Sequence, residues 1–217
     1  MDLFAAMTQR RSARAYLNQA VARADIEDII RYAGLAPSAI NLQPWEYVVT
    51  YGEEKDRLVR RLTRAAAERQ ISCGSGASKP LPDKYLRRTR QAFQVMEPHF
   101  SKLGIPFNQF VEAGSCSFYG APVAIIVTID RVFPQIRYLD LGLSVAYLLL
   151  AAQAKGLATC PIGLITAYAA EMAEELSIPA EKEIALAIAL GYADETSPAN
   201  GFKTGREELS EILTWYE

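Results

Sequence analysis

Three arginines and a serine near the N-terminus, in the stretch RRSAR at residues 10–14, could bind an anion. In an extended segment alternate side chains point the same way, so Arg10, Ser12 and Arg14 would share one face and Arg11 would point elsewhere. Guanidinium groups bind phosphate through paired, charge-assisted hydrogen bonds. The stretch is therefore a candidate phosphate site, although a solvated basic turn would have the same composition.

A second polar cluster lies in PSAINLQPW at residues 37–45. The two prolines make the segment rigid, and Ser38, Asn41 and Gln43 offer hydrogen bonds from an otherwise apolar loop. Such a loop could place polar groups at the edge of a ligand. The alternative is an ordinary connection between a helix and a strand, in which these side chains bond their own backbone.

Two further segments could contact the same ligand. In TCPIGL at residues 159–164, a glycine close to a proline lets the backbone approach a flat ligand closely. Near the C-terminus, Lys203 and Arg206 lie in a glycine-flanked tail. These two cations either join the phosphate site of the N-terminal motif or face water.

The elements that would position these residues are apolar strands with helices between them. Apolar periodicity and β-branched content predict helices near 1–7, 23–34, 53–70, 83–97, 137–155 and 167–176, and strands near 46–51, 122–129 and 184–190. This combination is typical of a layered α+β domain, here a single one spanning residues 1–217. The irregular part, residues 71–120, is the candidate lid.

Composition excludes several classes of protein. The chain has 23 basic and 25 acidic side chains and a net charge of -2, which argues against nucleic acid or an anionic membrane as a partner. His99 is the only histidine, and Cys73, Cys116 and Cys160 have no CxxC spacing, so we expect neither a metal site nor a disulfide framework. With no apolar leader and a polar-interrupted helix near 139–154, we expect a cytoplasmic protein without a membrane span.

In their order and spacing, these motifs resemble those of the FMN-dependent nitroreductase family. The matching segments are RRSAR at 10–14, PSAINLQPW at 37–45, DLGLSVAYLLLAAQAKGL at 140–157, PIG at 161–163, LGY at 190–192 and the basic tail at 203–206. The resemblance covers nearly the whole chain and is loose only over about 52–118. It implies a three-layer α+β fold, with a central mixed sheet flanked by helices, in a homodimer that holds FMN at its interface.

The resemblance also implies which residues would bind FMN. The polar and basic residues around its phosphate, ribityl chain and pyrimidine edge would be Arg10, Ser12, Arg14, Lys203 and Arg206. Arg11, inside the same motif, would have a less direct role. The residues that reach the flavin from the other subunit would be Pro37, Ser38, Ala39 and Asn41. Those along the isoalloxazine ring would be Pro161, Ile162, Gly163 and Leu164.

The implied activity is that of an oxidoreductase that uses NADH or NADPH to reduce a small-molecule acceptor, such as a nitroaromatic or a quinone, in a ping-pong cycle. The flavin carries the chemistry, so no catalytic side chain is assigned. The alternatives keep the fold and FMN but use them for reductive dehalogenation, enone reduction or oxygen-dependent chemistry, or for a sensor or storage protein with little turnover. The acceptor would be selected by residues 71–120.

Other candidate residues keep two interpretations each. The arginines of the segment 87–90 could attract a nucleotide phosphate or form a solvated helix face. The aromatic residues between 107 and 119 could cover a planar substrate or pack in the core. The glycine-rich stretch CGSG at 73–76 is interpreted as a flexible loop, since it lacks a complete phosphate-loop pattern. Cys116 and Cys160 are expected to be small buried hydrophobic residues, and His99 a packing or pocket residue.

Overall fold

The computed structural model describes residues 1–69, 71 and 76–217. Over these ranges the helices are α1 Leu3–Gln9, α2 Arg23–Ala33, α3 Gly52–Glu68, α4 Asp83–Phe100, α5 Phe107–Cys116, α6 Tyr138–Ala154 and α7 Ala169–Glu175. The strands are β1 Trp45–Tyr51, β2 Val123–Asp130, β3 Ala158–Ile162 and β4 Lys182–Gly191. Cys73 and its neighbours 72–75 lie outside the described residues, so the prediction for the CGSG stretch stays a prediction.

The four strands form one sheet in the order β1-β2-β4-β3. All three pairs of neighbours are antiparallel. Among the described residues, parallel pairing is found only in an isolated bridge between Ser12 and Thr159, at the edge of β3. The sheet itself is therefore antiparallel rather than mixed, and the N-terminal basic motif adds one parallel contact at its edge.

Helices cover both faces of this sheet because its central strand alternates between two apolar layers. On β2, Ala124 and Ile126 belong to a core shared with α3, α5 and α7. The intervening Ile125 and Val127 belong to a second core shared with α2 and α6. This alternation is what period-two side-chain geometry requires of a strand buried on both faces. The predicted three-layer α+β fold is thus confirmed.

Helix α6 is apolar around most of its circumference. Leu141, Val145 and Leu148 are buried against α2 and the sheet, whereas Leu143 and Tyr147 on the other side remain exposed. The segment Gln135–Ala154 is long and apolar enough to cross a membrane by length and composition, a test that core helices of globular proteins also pass. An apolar face of this kind commonly packs against another protein chain.

Two elements differ from the sequence-based expectation. Within the irregular part 71–120 the sequence predicts a helix only near 83–97, yet a further helix, α5, runs over Phe107–Cys116, directly after a proline at its N-cap. Gly114 lowers the helical propensity of α5, but a Cβ at this position would lie 2.2 Å from a ring carbon of Tyr119, so the close packing requires glycine. Strand β3 was not predicted because it contains Pro161, which is tolerated at a sheet edge.

Candidate cofactor site

The N-terminal basic motif runs beside the edge strand β3. The backbone N–H of Ala13 donates to the carbonyl of Thr159 at 3.0 Å, and Ser12 forms the parallel bridge to the same residue. Since the two segments run in the same direction, Arg14 and Pro161 each lie two residues after the bridge, on neighbouring segments. The structure therefore brings the RRSAR and PIG motifs together at one edge of the sheet.

A buried asparagine joins the C-terminal tail to this motif. The side-chain oxygen of Asn200 accepts a hydrogen bond from the backbone N–H of Arg14 at 2.7 Å. Its amide group donates to the carbonyls of Ala15, at 2.8 Å, and Asp194, at 3.0 Å. Sequence reasoning missed Asn200, and the only signal for it is an asparagine in the turn Pro198–Asn200, shortly after an apolar strand. Asn200 places Lys203 and Arg206 close to the N-terminal motif.

The motif and the tail enclose a cavity of about 100 Å³, which we call the basic cavity. Its lining residues are Arg10, Arg11, Ser12, Arg14, Met96, Phe202, Lys203, Thr204 and Arg206. All six residues predicted from the two basic segments are therefore among them. Met96, Phe202 and Thr204 were not predicted. Pockets for whole drug-sized ligands are several hundred Å³, so this volume suits a single group of a larger ligand.

Most of the cations in the basic cavity lack a counter-charge. Among the lining residues, all of which lie in the described part of the chain, only Arg11 forms an ion pair, with Glu195. Lys203 donates its ammonium N–H to the carbonyl of Thr8 at 2.6 Å, and Arg206 bonds neighbouring backbone carbonyls. Carbonyl partners orient these groups without cancelling their charge. The cavity therefore suits an anion that accepts several hydrogen bonds, such as a phosphate.

Arg14 lies between β3 and an aromatic side chain. Its guanidinium carbon is 5.9 Å from the ring centre of Phe202, within the range of a cation–π contact. Burial raises the pKa of the Cys160 thiol, and the positive charge of Arg14 opposes part of that rise. The guanidinium thus acts electrostatically on β3, where the PIG motif begins.

The PIG segment presents backbone rather than side chains to its surroundings. The carbonyl of Gly163 accepts hydrogen bonds from the backbone N–H and the hydroxyl of Thr166, at 3.1 and 2.9 Å. Apart from its two chain neighbours, no described residue has an atom within 4 Å of the place where a Cβ on Gly163 would be. The Ile162 side chain is buried in the core, while Leu164 is half-buried. A flat ligand could therefore approach the backbone at Gly163 without displacing a side chain.

The loop at residues 37–43 is not brought to the basic cavity of the same chain. Three of its non-glycine residues have left-handed backbone angles: Ile40 with φ 45°, Asn41 with φ 59° and Gln43 with φ 47°. The backbone N–H of Gln43 donates to the Ser38 hydroxyl at 3.0 Å, so one polar side chain does serve its own loop. Pro37, Ala39 and Asn41 are exposed. The loop keeps a defined shape and points outward.

Two alternatives left open for the arginines and the histidine now have structural answers. Arg88 pairs with Glu207 of the C-terminal tail through a 2.8 Å hydrogen bond, and Arg87 contacts the same carboxylate at 3.2 Å. These arginines therefore join α4 to the tail. His99 packs against Phe202, with 5.6 Å between the ring centres, and is half-buried.

The aromatic residues and cysteines mostly pack inside the protein. Phe118 is fully buried in the core, while Phe107 and Phe110 stack on Phe100 with ring centres 5.0 and 4.9 Å away. Cys116 and Cys160 are buried and unpaired. Burial raises the pKa of the Cys116 thiol to about 11. Both cysteines are thus small buried residues, as predicted.

These features define an α+β protein with a cavity lined by cationic side chains at the edge of its sheet. The chain belongs to the nitroreductase family, since residues 7–192 match the family model described as "Nitroreductase family". This confirms the resemblance found in the sequence motifs.

Named relatives cover nearly the full chain. The 4-nitrobenzoate reductase of Pseudomonas putida is 32% identical over 216 residues, covering 95% of this chain and 92% of that protein. Nitroreductase NfnB of Mycolicibacterium smegmatis is 33% identical over 208 residues, covering 93% and 87%. The crystal structure of the FMN-dependent nitroreductase NfnB from Mycobacterium smegmatis in complex with NADPH superposes with a TM-score of 0.85 at 29% identity, covering 99% of this chain and 97% of that chain.

Proposed function

We propose that this chain is an FMN-dependent oxidoreductase that uses NADPH or NADH to reduce nitroaromatic, quinone or related acceptors. The observation that carries the proposal is the basic cavity, in which four cations without ion-pair partners in the described part of the chain converge beside β3. The names of the relatives support it, since they include a reductase of 4-nitrobenzoate and an FMN-dependent enzyme bound to NADPH.

The residues present fit FMN. Its phosphate would be held by Arg10, Lys203 and Arg206, with Ser12 as an additional hydrogen-bond donor, while Arg14, beside β3, would reach the pyrimidine edge of the ring. The volume of about 100 Å³ suits the phosphate alone, so the ring system would lie outside the cavity. The open backbone at Gly163 is the surface of this chain that could accept it. When bound, FMN would supply the two-electron chemistry of a ping-pong cycle, taking hydride from the nicotinamide and passing it to the acceptor.

The protein's part in this chemistry is electrostatic and positional. Arg14 fixes a positive charge beside β3, and a preorganised charge stabilises negative charge that develops next to it. Asn200 holds the Arg14 backbone, so this charge does not have to reorganise. No general base or nucleophile is needed, which agrees with the absence of an assigned catalytic side chain.

We propose that the functional unit is a homodimer in which each site uses residues of both subunits. The exposed loop containing Pro37, Ser38, Ala39 and Asn41 would complete the site of the partner. Support comes from the uncovered apolar face of α6, which with α1 borders an open cavity of about 560 Å³ lined by Met7, Tyr147 and other apolar residues. A second copy of the chain would cover this face.

Residues 71–120 are the proposed acceptor-selecting segment of a single domain spanning 1–217. Its helix α4 contributes Met96 to the basic cavity and is ion-paired to the tail through Arg88. The segment therefore adjoins the proposed cofactor site while lying outside the best-matching motifs.

Steady-state kinetics test this function. The protein, loaded with FMN, is assayed for NADPH and NADH oxidation with 4-nitrobenzoate, a quinone and a halogenated aromatic as acceptors. We expect nitroaromatic- or quinone-dependent turnover, with parallel double-reciprocal lines as the donor and acceptor are varied. Turnover only with the halogenated compound would favour dehalogenation. No turnover with any acceptor would favour the sensor or storage alternative.

A further inference from the structure

Helix α6 carries two buried polar side chains one turn apart, Asp140 and Ser144, on the face that packs into the protein. Asp140 accepts a 2.8 Å hydrogen bond from the guanidinium of Arg137 and a 3.4 Å hydrogen bond from the backbone N–H of Ala39. The Ser144 hydroxyl donates to the carbonyl of Ala33, the last residue of α2, at 2.7 Å. Ser144 therefore bonds the end of α2, and Asp140 bonds the loop that connects α2 to β1.

The strand that follows the loop, β1, is bonded to the same serine of α6. The hydroxyl of Tyr47, on β1, lies 2.5 Å from the Ser144 hydroxyl. Since Ser144 gives its single proton to Ala33, Tyr47 is the donor in this contact. On this mostly apolar helix, Ser144 thus bonds the residues at both ends of the connection, Ala33 and Tyr47, and Asp140 bonds its middle. Buried polar groups are costly unless bonded, so their placement here has a specific use.

The loop held in this way is strained. Ile40, a β-branched residue, has φ 45°, and Asn41 has φ 59°. Left-handed geometry at a β-branched residue is rare and unfavourable, and it persists only where the surrounding structure imposes it. The contact from Ala39 to Asp140 lies directly before these residues and is the loop's link to α6. Asp140 is therefore one of the groups that impose this shape.

The side chains of the strained loop bury little surface within their own chain. The Ile40 side chain is 91% exposed, and Leu42 and Pro37 are exposed as well. A strained backbone whose side chains point into solvent is characteristic of a segment shaped for an external contact. In the proposed homodimer that contact is the cofactor site of the partner.

We propose that Asp140 is a positioning residue that fixes the loop 37–43 in the shape required by the cofactor site of the partner subunit. This inference rests on the proposed FMN-binding homodimer. It assigns to Asp140 an effect in trans: its loss would impair the site of the other subunit and leave its own basic cavity intact. Arg137 shares this role, since its guanidinium donates a 2.8 Å hydrogen bond to the Asp140 carboxylate and so orients it.

Mixed dimers test the effect in trans. One subunit carries Arg14→Ala and the other Asp140→Asn, and different affinity tags select dimers that contain both. In such a dimer the Asp140→Asn subunit keeps its own Arg14 and receives a native loop from the Arg14→Ala subunit. The site of the Asp140→Asn subunit is therefore complete. The site of the Arg14→Ala subunit lacks both its own Arg14 and a correctly shaped loop from its partner. Each homodimeric variant, in contrast, has two damaged sites.

The measured quantity is FMN binding, followed by fluorescence quenching. We expect the Kd of the Asp140→Asn homodimer to rise roughly tenfold, and the mixed dimer to regain wild-type affinity at about half of its sites. A mixed dimer with no wild-type site would overturn the proposal, as would an Asp140→Asn homodimer that binds FMN like the wild type. A wild-type protein that does not bind FMN would instead refute the proposed function.

Two further variants control for stability and folding. Asp130→Asn changes a carboxylate that also accepts from a backbone N–H, that of Val132 at 2.9 Å, and lies 3.4 Å from Lys182, but does not contact the loop. It should leave FMN affinity unchanged. Arg137→Lys keeps the positive charge but not the guanidinium geometry at Asp140, and it carries the same mixed-dimer test if Asp140→Asn does not fold.

Discussion

The side chain of Asn200 accepts a hydrogen bond from the backbone N–H of Arg14 at 2.7 Å, across 186 positions of the chain. Because Asn200 is buried and also bonds the carbonyl of Ala15, the N-terminal motif and the C-terminal tail form one unit. The basic cavity lies between them, so its geometry depends on a residue that is not among its lining residues.

Replacing Asn200 should therefore affect both stability and FMN binding. Asn200→Ala leaves the backbone N–H of Arg14 without its partner and removes one hydrogen bond each from the carbonyls of Ala15 and Asp194, which should cost about 1–3 kcal/mol in the free energy of unfolding. Urea unfolding and FMN titration measure the two effects. Asn108→Ala, at an exposed position on α5, is the control. Unchanged FMN affinity in Asn200→Ala would show that the tail does not depend on this bond.

Arg14→Ala should weaken FMN binding more than Arg88→Ala. Arg14 lines the basic cavity, whereas Arg88 is paired with Glu207 outside it. Loss of a charged hydrogen-bond donor to FMN should raise the Kd for FMN roughly tenfold to a hundredfold. The flavin content after gel filtration and the rate of flavin reduction give the comparison. Equal flavin content and equal reduction rates in the two variants would show that Arg14 is not part of the site.

A charge on the exposed face of α6 should separate the subunits. Leu143 is 43% exposed there, and Leu143→Glu would place a carboxylate in the proposed dimer interface. Leu86→Glu, on α4, is the control because Leu86 is 42% exposed. Sedimentation should show a monomer with little FMN for the first variant and a dimer for the second. A wild-type protein that is monomeric and binds FMN fully would contradict the interface site.

Gly114 should tolerate alanine only when Tyr119 is smaller. A Cβ at Gly114 would lie 2.2 Å from a ring carbon of Tyr119. We expect Gly114→Ala to lower the free energy of unfolding by about 1–3 kcal/mol, the usual cost of overpacking. In a Tyr119→Ala background the same change should cost much less, and a double-mutant cycle measures the difference. Additive effects would mean that the ring does not limit this position.

Cys116 should resist alkylation in the folded protein. Burial raises the pKa of its thiol from 9.0 to about 11, and the thiolate is the reactive form. Iodoacetamide at a slightly alkaline pH should label Cys116 only after unfolding in urea, as read from peptide masses. Because the folded pKa is the higher one, this thiol stabilises the fold below pH 9.0, and that contribution is lost as the pH rises towards about 11. Rapid labelling without urea would contradict its burial.

The helices and most strands follow from the sequence because their apolar periodicity is local. The helix at 23–34 and the strand at 122–129 agree with α2 and β2 to within a residue at each end. Strand β3 and helix α5 were missed because each contains a residue, Pro161 or Gly114, that is unfavourable for its element by itself. Tertiary packing at the sheet edge and at Tyr119 outweighs that local preference.

The cations and Ser12 of the candidate site were predictable from the sequence, but its other lining residues and its arrangement were not. The basic residues of RRSAR and of the C-terminal tail can be recognised in the sequence. Their convergence in space, however, depends on Asn200 and on the bridge from Ser12 to β3. Both are contacts between distant parts of the chain, which spacing does not encode. The loop 37–43 likewise contacts a distant residue, Asp140, about a hundred positions further on.

The most direct test of the central claim is the visible absorption spectrum of the purified protein supplied with FMN, recorded before and after NADPH or NADH is added without oxygen. We predict a bound-flavin spectrum that bleaches with at least one of the two donors. A protein that stays colourless after FMN is supplied and unbound nucleotide is removed would contradict the claim.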